Sequence, residues 1–600
     1  MNRLQFISIL ILLISMGSQA QTNFTTTTFD LSTIGKQGWN FFPGYQDSNG
    51  DLVVKMGVAS CEMSTDKSFT GTTYNYQGLS WQFDEIRFGN DLTFKNEKEV
   101  TFGNSIDAMK YAPVYGEYFN PVPQDIAGGV ILSRPLTSDF MGTTIITPAV
   151  SFKGYQIAKS FVYGKVQAPA GKSFGGADLT NYYSCGENPV FSVLEKIDAK
   201  ENKGEKWVPV YNDYIPNGGV ILFGYSKDGL DETKRFFMLK QFNDAMEEVK
   251  RAELTFDYIN ALVVKELPRG NGINDYIIIS QSNDNTKWGG KKVNVKPANF
   301  AEVIYFDGEN FEVTSRSETT LDFTQWNIAS AIRDTDGSIY IFGAAGPDNK
   351  TYVNSINMVV SSDMKMPGFN VYNNSKTLPN AQIAKIVDGK VAYLKGISAS
   401  DVDSKSQTLT IGKAKAKSDP IFTTQYGVSP KLFIKNGQLI VTYQQFYKAA
   451  NAGSDLTGTT LGEPDKGNMV CMVFDKSGTL LSHIVKPEES HSVSNEFFTA
   501  DGNQMYWTTY DIAALNKLEN EGGRALENKV PGTYAGHLHL VKVNLTTGKA
   551  NEAEWLGQEE WAIDALHPVI ADGKDYFVLS GRTLAKKAKD SELVLVKINK

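Results

Sequence analysis

The sequence predicts an all-β chain folded as a single β-propeller of about eight four-stranded blades, with seven or nine as the alternatives. Three observations carry that expectation. Asp-Gly and Asn-Gly turns recur along the chain, each beside a short run rich in Ile, Val, Tyr and Phe. Their spacing leaves room for four strands per unit, and sustained helical periodicity is scarce.

Asn217-Gly218 precedes Val220-Ile221-Leu222-Phe223, and Asp336-Gly337 precedes Ile339-Tyr340-Ile341-Phe342. The pair returns at Asp388-Gly389, Asn436-Gly437, Asp501-Gly502 and Asp572-Gly573. Such dipeptides suit tight hairpins because both central residues of a type I′ turn need positive φ. A second phrase, an apolar strand entering a polar turn, runs from Val303 to Gly308, from Met472 to Gly478 and from Leu538 to Asn544. Gly337, Gly389, Gly437, Gly502 and Gly573 lie 52, 48, 65 and 71 residues apart, which fits a four-stranded unit with variable loops. Solenoid repeats of roughly 20 to 34 residues do not. Phe242 to Leu267 could pass for a helix through Ala245 to Val249, and is read as strand, loop and strand.

Seven units are expected from about residue 213 to the end and one more from Trp39 to Gly103. Residues 104–212 are rich in Gly, Pro and Tyr and are expected to be an extra blade or a long insertion. The last strand, Leu593 to Lys600, matches only the third strand of a unit. Phe24 to Leu31 is β-prone and has no partner of its own. Pairing the two would close the ring and cover an open sheet edge.

The 600 residues exceed what one compact core accommodates, a limit that repeats escape. Hydrophobic residues at 41% and charged residues at 21% are ordinary globular usage. The net charge is −8 with no long Lys/Arg block, which argues against nucleic-acid or anionic-lipid partners. Arg3, the apolar run Phe6 to Met16 and Ser18-Gln19-Ala20 read as a signal peptide over residues 1–20, leaving 21–600 as the propeller. No later stretch is long enough for a transmembrane helix, and Gln21 rather than Cys follows the cleavage point, so no lipid anchor is expected. Spending the terminal strand on closure leaves no separate sorting domain. The periplasm is therefore the expected location, with the extracellular space as the alternative. Cys61, Cys185 and Cys471 are too few and odd in number for a disulfide framework, and Cys471 reads as a core residue.

His537 and His539 alternate onto one strand face, a spacing that can hold two zinc nitrogens, but no third ligand is identifiable and a wetted strand face explains them equally. Asp47, Asn49 and Asp51 resemble the start of a calcium loop without its glycine at the sixth position; Asp334 with Asp336 and Asp401 with Asp403 are similar fragments. Turn formation accounts for all of them. No cofactor is expected beyond calcium as an option. His-Glu-x-x-His, Gly-x-Ser-x-Gly and Walker motifs are absent from the sequence, and Ser282 to Trp288 departs from the sialidase box. Tyr111, Tyr115, Tyr118, Phe119, Tyr182 and Tyr183 are candidate partner-binding aromatics, because long insertions on a rigid scaffold often carry function. Packing between blades is their alternative role.

Ser429-Pro430-Lys431 before Asn436-Gly437, and His567-Pro568 before Asp572-Gly573, resemble the strand-turn-strand phrase of TolB-like and related periplasmic propellers. The resemblance covers single blades and implies fold. With its exported, acidic and unanchored character, the chain is also similar to the plug-type subunit of the type IX translocon. That likeness implies a non-enzymatic propeller engaging a protein partner, an outer-membrane secretion complex. The alternatives are a hydrolytic, carbohydrate-active propeller with a carboxylate-lined funnel and a glycan-binding propeller.

Overall fold

The computed structural model describes residues 24–36, 40–68, 71–101, 207–214, 220–226, 235–242, 248–257, 260–269, 273–282, 299–323, 326–346, 380–409, 430–447, 465–487, 495–511, 535–551, 569–583 and 592–600. It also describes short segments between 150 and 187, between 287 and 297, and between 554 and 564. The expected leader, residues 1–20, and most of 104–212 lie outside the described residues. The chain is a β-propeller. Most of its described strands group into seven antiparallel four-stranded units, the lower end of the expected range.

Blade 1 comprises Asn40–Gln46, Leu52–Ser68, Gly71–Phe88 and Phe94–Val100. Blade 2 comprises Trp207–Tyr214, Val220–Ser226, Arg235–Phe242 and Glu248–Phe256. Blade 3 comprises Asn260–Pro268, Asn274–Ser282, Phe300–Asp307 and Glu312–Thr320. Within the stretch that could pass for a helix, Glu248–Phe256 and Asn260–Pro268 are strands, and 243–247 lie outside the described residues. Blade 4 comprises Asn327–Arg333, Ile339–Ala345, Asn380–Val387 and Lys390–Ile397. Blade 5 comprises Lys431–Lys435, Gln438–Tyr447, Asp465–Phe474 and Leu480–Lys486. Blade 6 comprises Asn495–Phe498, Gln504–Asp511, Ala535–Asn544 and the short pieces Lys549–Ala550 and Glu554–Leu556. Blade 7 takes Val569–Asp572, Tyr576–Thr583 and Glu592–Asn599 from the end of the chain and Phe24–Asp30 from its start.

The two middle strands of a blade face neighbours on both sides, so they read as unbroken apolar runs rather than alternating ones. Ile277, Ile278 and Ile279 are all buried, as are Met469 through Phe474. Separate apolar clusters join blade 3 to 4, 4 to 5, 5 to 6, 6 to 7 and 7 to 1. Outer strands differ. Glu312–Thr320 alternates exposed and half-buried residues and carries charge, which blunts an open edge.

Asp388-Gly389 and Asn436-Gly437 are the type I′ hairpins expected, with φ of 48° and 72°, and 46° and 75°. Gly337 and Gly502 sit in longer turns where the glycine has positive φ but the residue before it does not.

Closure is as expected from the chain ends. Phe24–Asp30 pairs antiparallel with Glu592–Asn599, from Phe24 opposite Ile598 to Asp30 opposite Glu592. The first strands of blades 7 and 1 then meet in parallel at Gly44 opposite Ala571, which marks first strands as inner and fourth strands as outer. Phe29 stacks on Phe94 at 5.1 Å and meets Phe88 edge-on at 5.3 Å. Beyond the strand, Lys36 bridges Asp84 and Glu97 of blade 1. Phe29→Ala should cost about 2 kcal/mol, below a full core Phe deletion because the ring is half-buried. A chain starting at residue 31 should lose cooperative unfolding. Urea denaturation followed by tryptophan fluorescence measures both, and wild-type stability in the truncated chain would contradict the closure.

Candidate functional site

Strand direction divides the disc into two unlike faces. First-to-second and third-to-fourth connections emerge on one side, and none there exceeds five residues, from 47–51 in blade 1 to 573–575 in blade 7. Second-to-third connections and the crossovers between blades emerge on the other side. They include 101–206, 283–299, 346–379, 398–430, 448–464 and 512–534. The first side is a turn face and the second a loop face.

The acidic fragments picked out in the sequence are the turns themselves. Asp47 Oδ1 accepts the N–H groups of Asn49 (2.9 Å) and Asp51 (3.0 Å), while Oδ2 meets Arg87 at 2.5 Å. Asp51 pairs with Lys95. Burial alone would raise the pKa of Asp47, but the two N–H donors and Arg87 outweigh it and hold the carboxyl below its ordinary value. Asp475 builds the same turn, accepting from Ser477 and Thr479 (both 2.9 Å), and Gly337 N–H closes the 334–338 turn on the Asp334 carbonyl. Asp401 caps a short helix, Ala399–Asp403, receiving the Ser398 N–H at 2.8 Å. Among the described residues no group of three or more His, Cys, Asp or Glu side chains is placed to hold a metal ion.

A dense polar cluster among the described residues of the turn face was not singled out from the sequence. Asp275 is fully buried and is held by both edges of Arg269 (2.8 Å each), by Arg333, by the Tyr305 hydroxyl (2.5 Å) and by the Gly308 N–H (2.9 Å). Arg269 also reaches Asp307 and Glu309. Burial opposes ionisation here, yet Arg269, Arg333, Tyr305 and Gly308 together hold the Asp275 carboxyl below its ordinary value. Gly308 is required, since a Cβ there would lie 1.8 Å from the Asn274 carbonyl oxygen. Arg333 comes from blade 4, so the cluster rivets two blades, and its charges are spent on one another. The signal in the sequence was a lone Asp275 at the mouth of an isoleucine run.

On the loop face, blade 1 carries an arm. Its second and third strands keep pairing beyond the reach of their neighbours, from Val58 opposite Gln82 to Ser68 opposite Gly71. The first strand's pairing ends at Gly57 and the fourth strand's at Phe83. At ~3.4 Å per residue the two-stranded portion is about 35 Å long. Register places Ala59, Met63 and Thr65 opposite Trp81, Tyr76 and Tyr74 on one face of the ribbon. Ser60, Glu62, Ser64 and Asp66, opposite Ser80, Gln77, Asn75 and Thr73, take the other. The strand Tyr183–Glu187 lies alongside Gly71–Phe88, so Tyr183 belongs to a segment next to the arm. Tyr111, Tyr115, Tyr118, Phe119 and Tyr182 lie outside the described residues. His537 and His539 occupy the loop-face end of the third strand of blade 6, opposite Asp511 and Thr509, two residues apart and hence on one face. Their side chains, with all of His491 and His567, lie outside the described residues.

No family model matches the chain, and a search of curated proteins gives no match. Among similar solved structures are a cobalt-substituted Synechocystis apocarotenoid oxygenase and an ACO/RPE65 chimera. They are 10% and 11% identical with TM-scores of 0.28 and 0.29, each covering 90% of this chain and 97% of the other. At that level the likeness assigns this chain no activity. Oxygenase structures stand where TolB-like and type IX components were expected, and this corrects that resemblance. The partner-binding plug, the hydrolase and the glycan-binding module inferred beside it are withdrawn with it. The physical reason is plain in the two phrases that carried it. Asn436-Gly437 follows from hairpin geometry, which any antiparallel sheet imposes, and Gly573 lacks the positive φ that would make Asp572-Gly573 the same turn.

Asp275→Ala should destabilise the fold by about 3 kcal/mol, because it takes from Arg333 its carboxylate partner and leaves Arg269 with only the more exposed Asp307 and Glu309. The wild-type carboxyl has its folded value depressed, so its contribution is complete above about pH 4 and is lost as pH falls below that. Urea midpoints from pH 7 to pH 3 should therefore fall more steeply in wild type than in Asp275→Asn.

Proposed function

We propose that this protein is a ligand-binding propeller that works through its loop face, and that its ligand is an apolar or aromatic small molecule seated against the arm of blade 1. The supporting observation is the arm's register, which sorts Tyr74, Tyr76, Trp81 and Met63 to one side and hydroxyl, amide and carboxylate residues to the other. A two-stranded ribbon is marginal by itself in water, so one-sided aromatic sorting calls for something to cover that side. Tyr and Trp bury large area with few rotors to immobilise, which makes them effective contacts for a planar or hydrocarbon ligand. The ring beneath holds the base of the arm rigid, with Phe83, Ile86 and Phe88 buried in blade 1. Long connections on a fixed scaffold are where binding residues concentrate. The reading takes the chain as exported, on the strength of the leader-like residues 1–20.

The test is a fluorescence titration of residues 21–600 with 1-anilinonaphthalene-8-sulfonate as the apolar reporter. Saturable binding is expected, weakened about tenfold or more, equivalent to ~1.4 kcal/mol, by Tyr74→Ser combined with Tyr76→Ser and Trp81→Ser. Asn75→Ala with Gln77→Ala, on the other face, should leave it unchanged. Absence of saturable binding, or equal affinity in the aromatic-face variant, would overturn the proposal.

A further inference from the structure

The connection from blade 4 to blade 5 travels along the rim of the ring. After Lys390–Ile397 comes the capped helix Ala399–Asp403, then a strand, Ser406–Thr408, that pairs in parallel with Leu480–Lys486, the outer strand of blade 5. The His483 N–H donates to the Lys405 carbonyl (3.1 Å) and the Leu409 N–H to the Val485 carbonyl (2.8 Å). Gln407 reaches across to blade 6, donating to the Ala550 carbonyl at 2.8 Å and accepting from the Ala550 N–H at 3.0 Å. Val402 and Leu409 are buried beneath this strap. The strand that it covers is unlike other outer strands. Leu480–Lys486 is buried at every position except Leu481, whereas Phe94–Val100 and Glu312–Thr320 are exposed or half-buried throughout. Blade 5 therefore has an edge that would invite foreign strands if it were bare, and the strap occupies it.

His483 sits under the strap and is 5% exposed. Its Nδ1 is 3.1 Å from the Ser406 hydroxyl, and its Nε2 has no hydrogen-bond partner. The Ser406 side of this contact is exposed to solvent, so lifting the strap opens the imidazole to water. The charged groups on the surrounding elements are Asp401 and Asp403 of the helix, Lys405 of the strap, Lys486 of the same strand and Lys549 of the short blade 6 strand beside it; Met472 stands opposite. None of them moves the imidazole's acidity. Burial alone does, pushing the imidazole's pKa down to about 4.

We propose that the strap is an acid-released latch, in which protonation of His483 requires residues 405–409 to lift from blade 5 and so bares its outer strand. With the closed value depressed and the open value ordinary, the closed form is fully favoured above about pH 6.5 and loses ground as pH falls toward 4. Between pH 8 and pH 5 the opening constant should rise about 30-fold.

Hydrogen–deuterium exchange of the full chain, with labelling times scaled for intrinsic exchange, tests this. Protection of the peptide spanning 404–410 should fall about 30-fold from pH 8 to pH 5, while Met469–Phe474 keeps its protection. His483→Leu should abolish the difference. Gln407→Ala should lower protection at both pH values and preserve the ratio, which keeps the test decisive if the histidine variant folds poorly. Equal wild-type protection at the two pH values, a parallel loss in Met469–Phe474, or a surviving pH difference in His483→Leu would each overturn the latch.

Discussion

A propeller blade has two apolar faces and can bury both only between two neighbours, so no blade in a ring is stable at an end. Everything else in this molecule depends on that demand being met at the point where the chain starts and stops. Phe24–Asp30 supplies the outer strand of blade 7, and Phe29, Leu31 and Lys36 then carry the contact into blade 1. The apolar clusters that run from blade 3 round to blade 1 are each shared by two blades, so stability is a property of junctions. Polar rivets reinforce them. Asp275 ties blade 3 to Arg333 of blade 4, and Gln407 ties the rim strap to blade 6.

One device recurs at these crossings. Gln281 pairs its side-chain amide both ways with the backbone of Trp326, Gln382 does so with Phe323, and Gln407 with Ala550. Each amide stands in for a strand where the chain passes between blades and the backbone would otherwise bury unpaired groups. Phe323 and Trp326, on the way from blade 3 to blade 4, thus each keep both peptide groups paired.

The fold was legible in the sequence because its signals are local. An apolar run such as Val303 to Phe306 and a turn such as Asn436-Gly437 declare themselves within ten residues, and the unpaired β-prone run at Phe24 declares its missing partner. Blade number was less legible, since the spacing between successive turns varies and a turn carries no local mark of the unit it belongs to. The acidic fragments were legible as turns, and Asp47 and Asp336 act as such. What local reading could not find were side chains that meet only through the ring. Asp275 and Arg333 are 58 residues apart, and Ser406 and His483 are 77 apart, brought together by a rim strand that no periodicity announces. The arm lies between these cases. Its residues alternate visibly, but its projection follows from where the pairing of Gly57 and Phe83 stops.

The antiparallel register at the seam has a topological consequence. Phe24 stands opposite Ile598 on the turn face, where other blades join their third and fourth strands by a tight turn. The covalent gap in the circle therefore coincides with a missing hairpin loop. A few glycine-rich residues joining Lys600 to Phe24 would make the backbone endless, and fresh termini opened at another surface turn would yield a circular permutant with the same neighbours on every side.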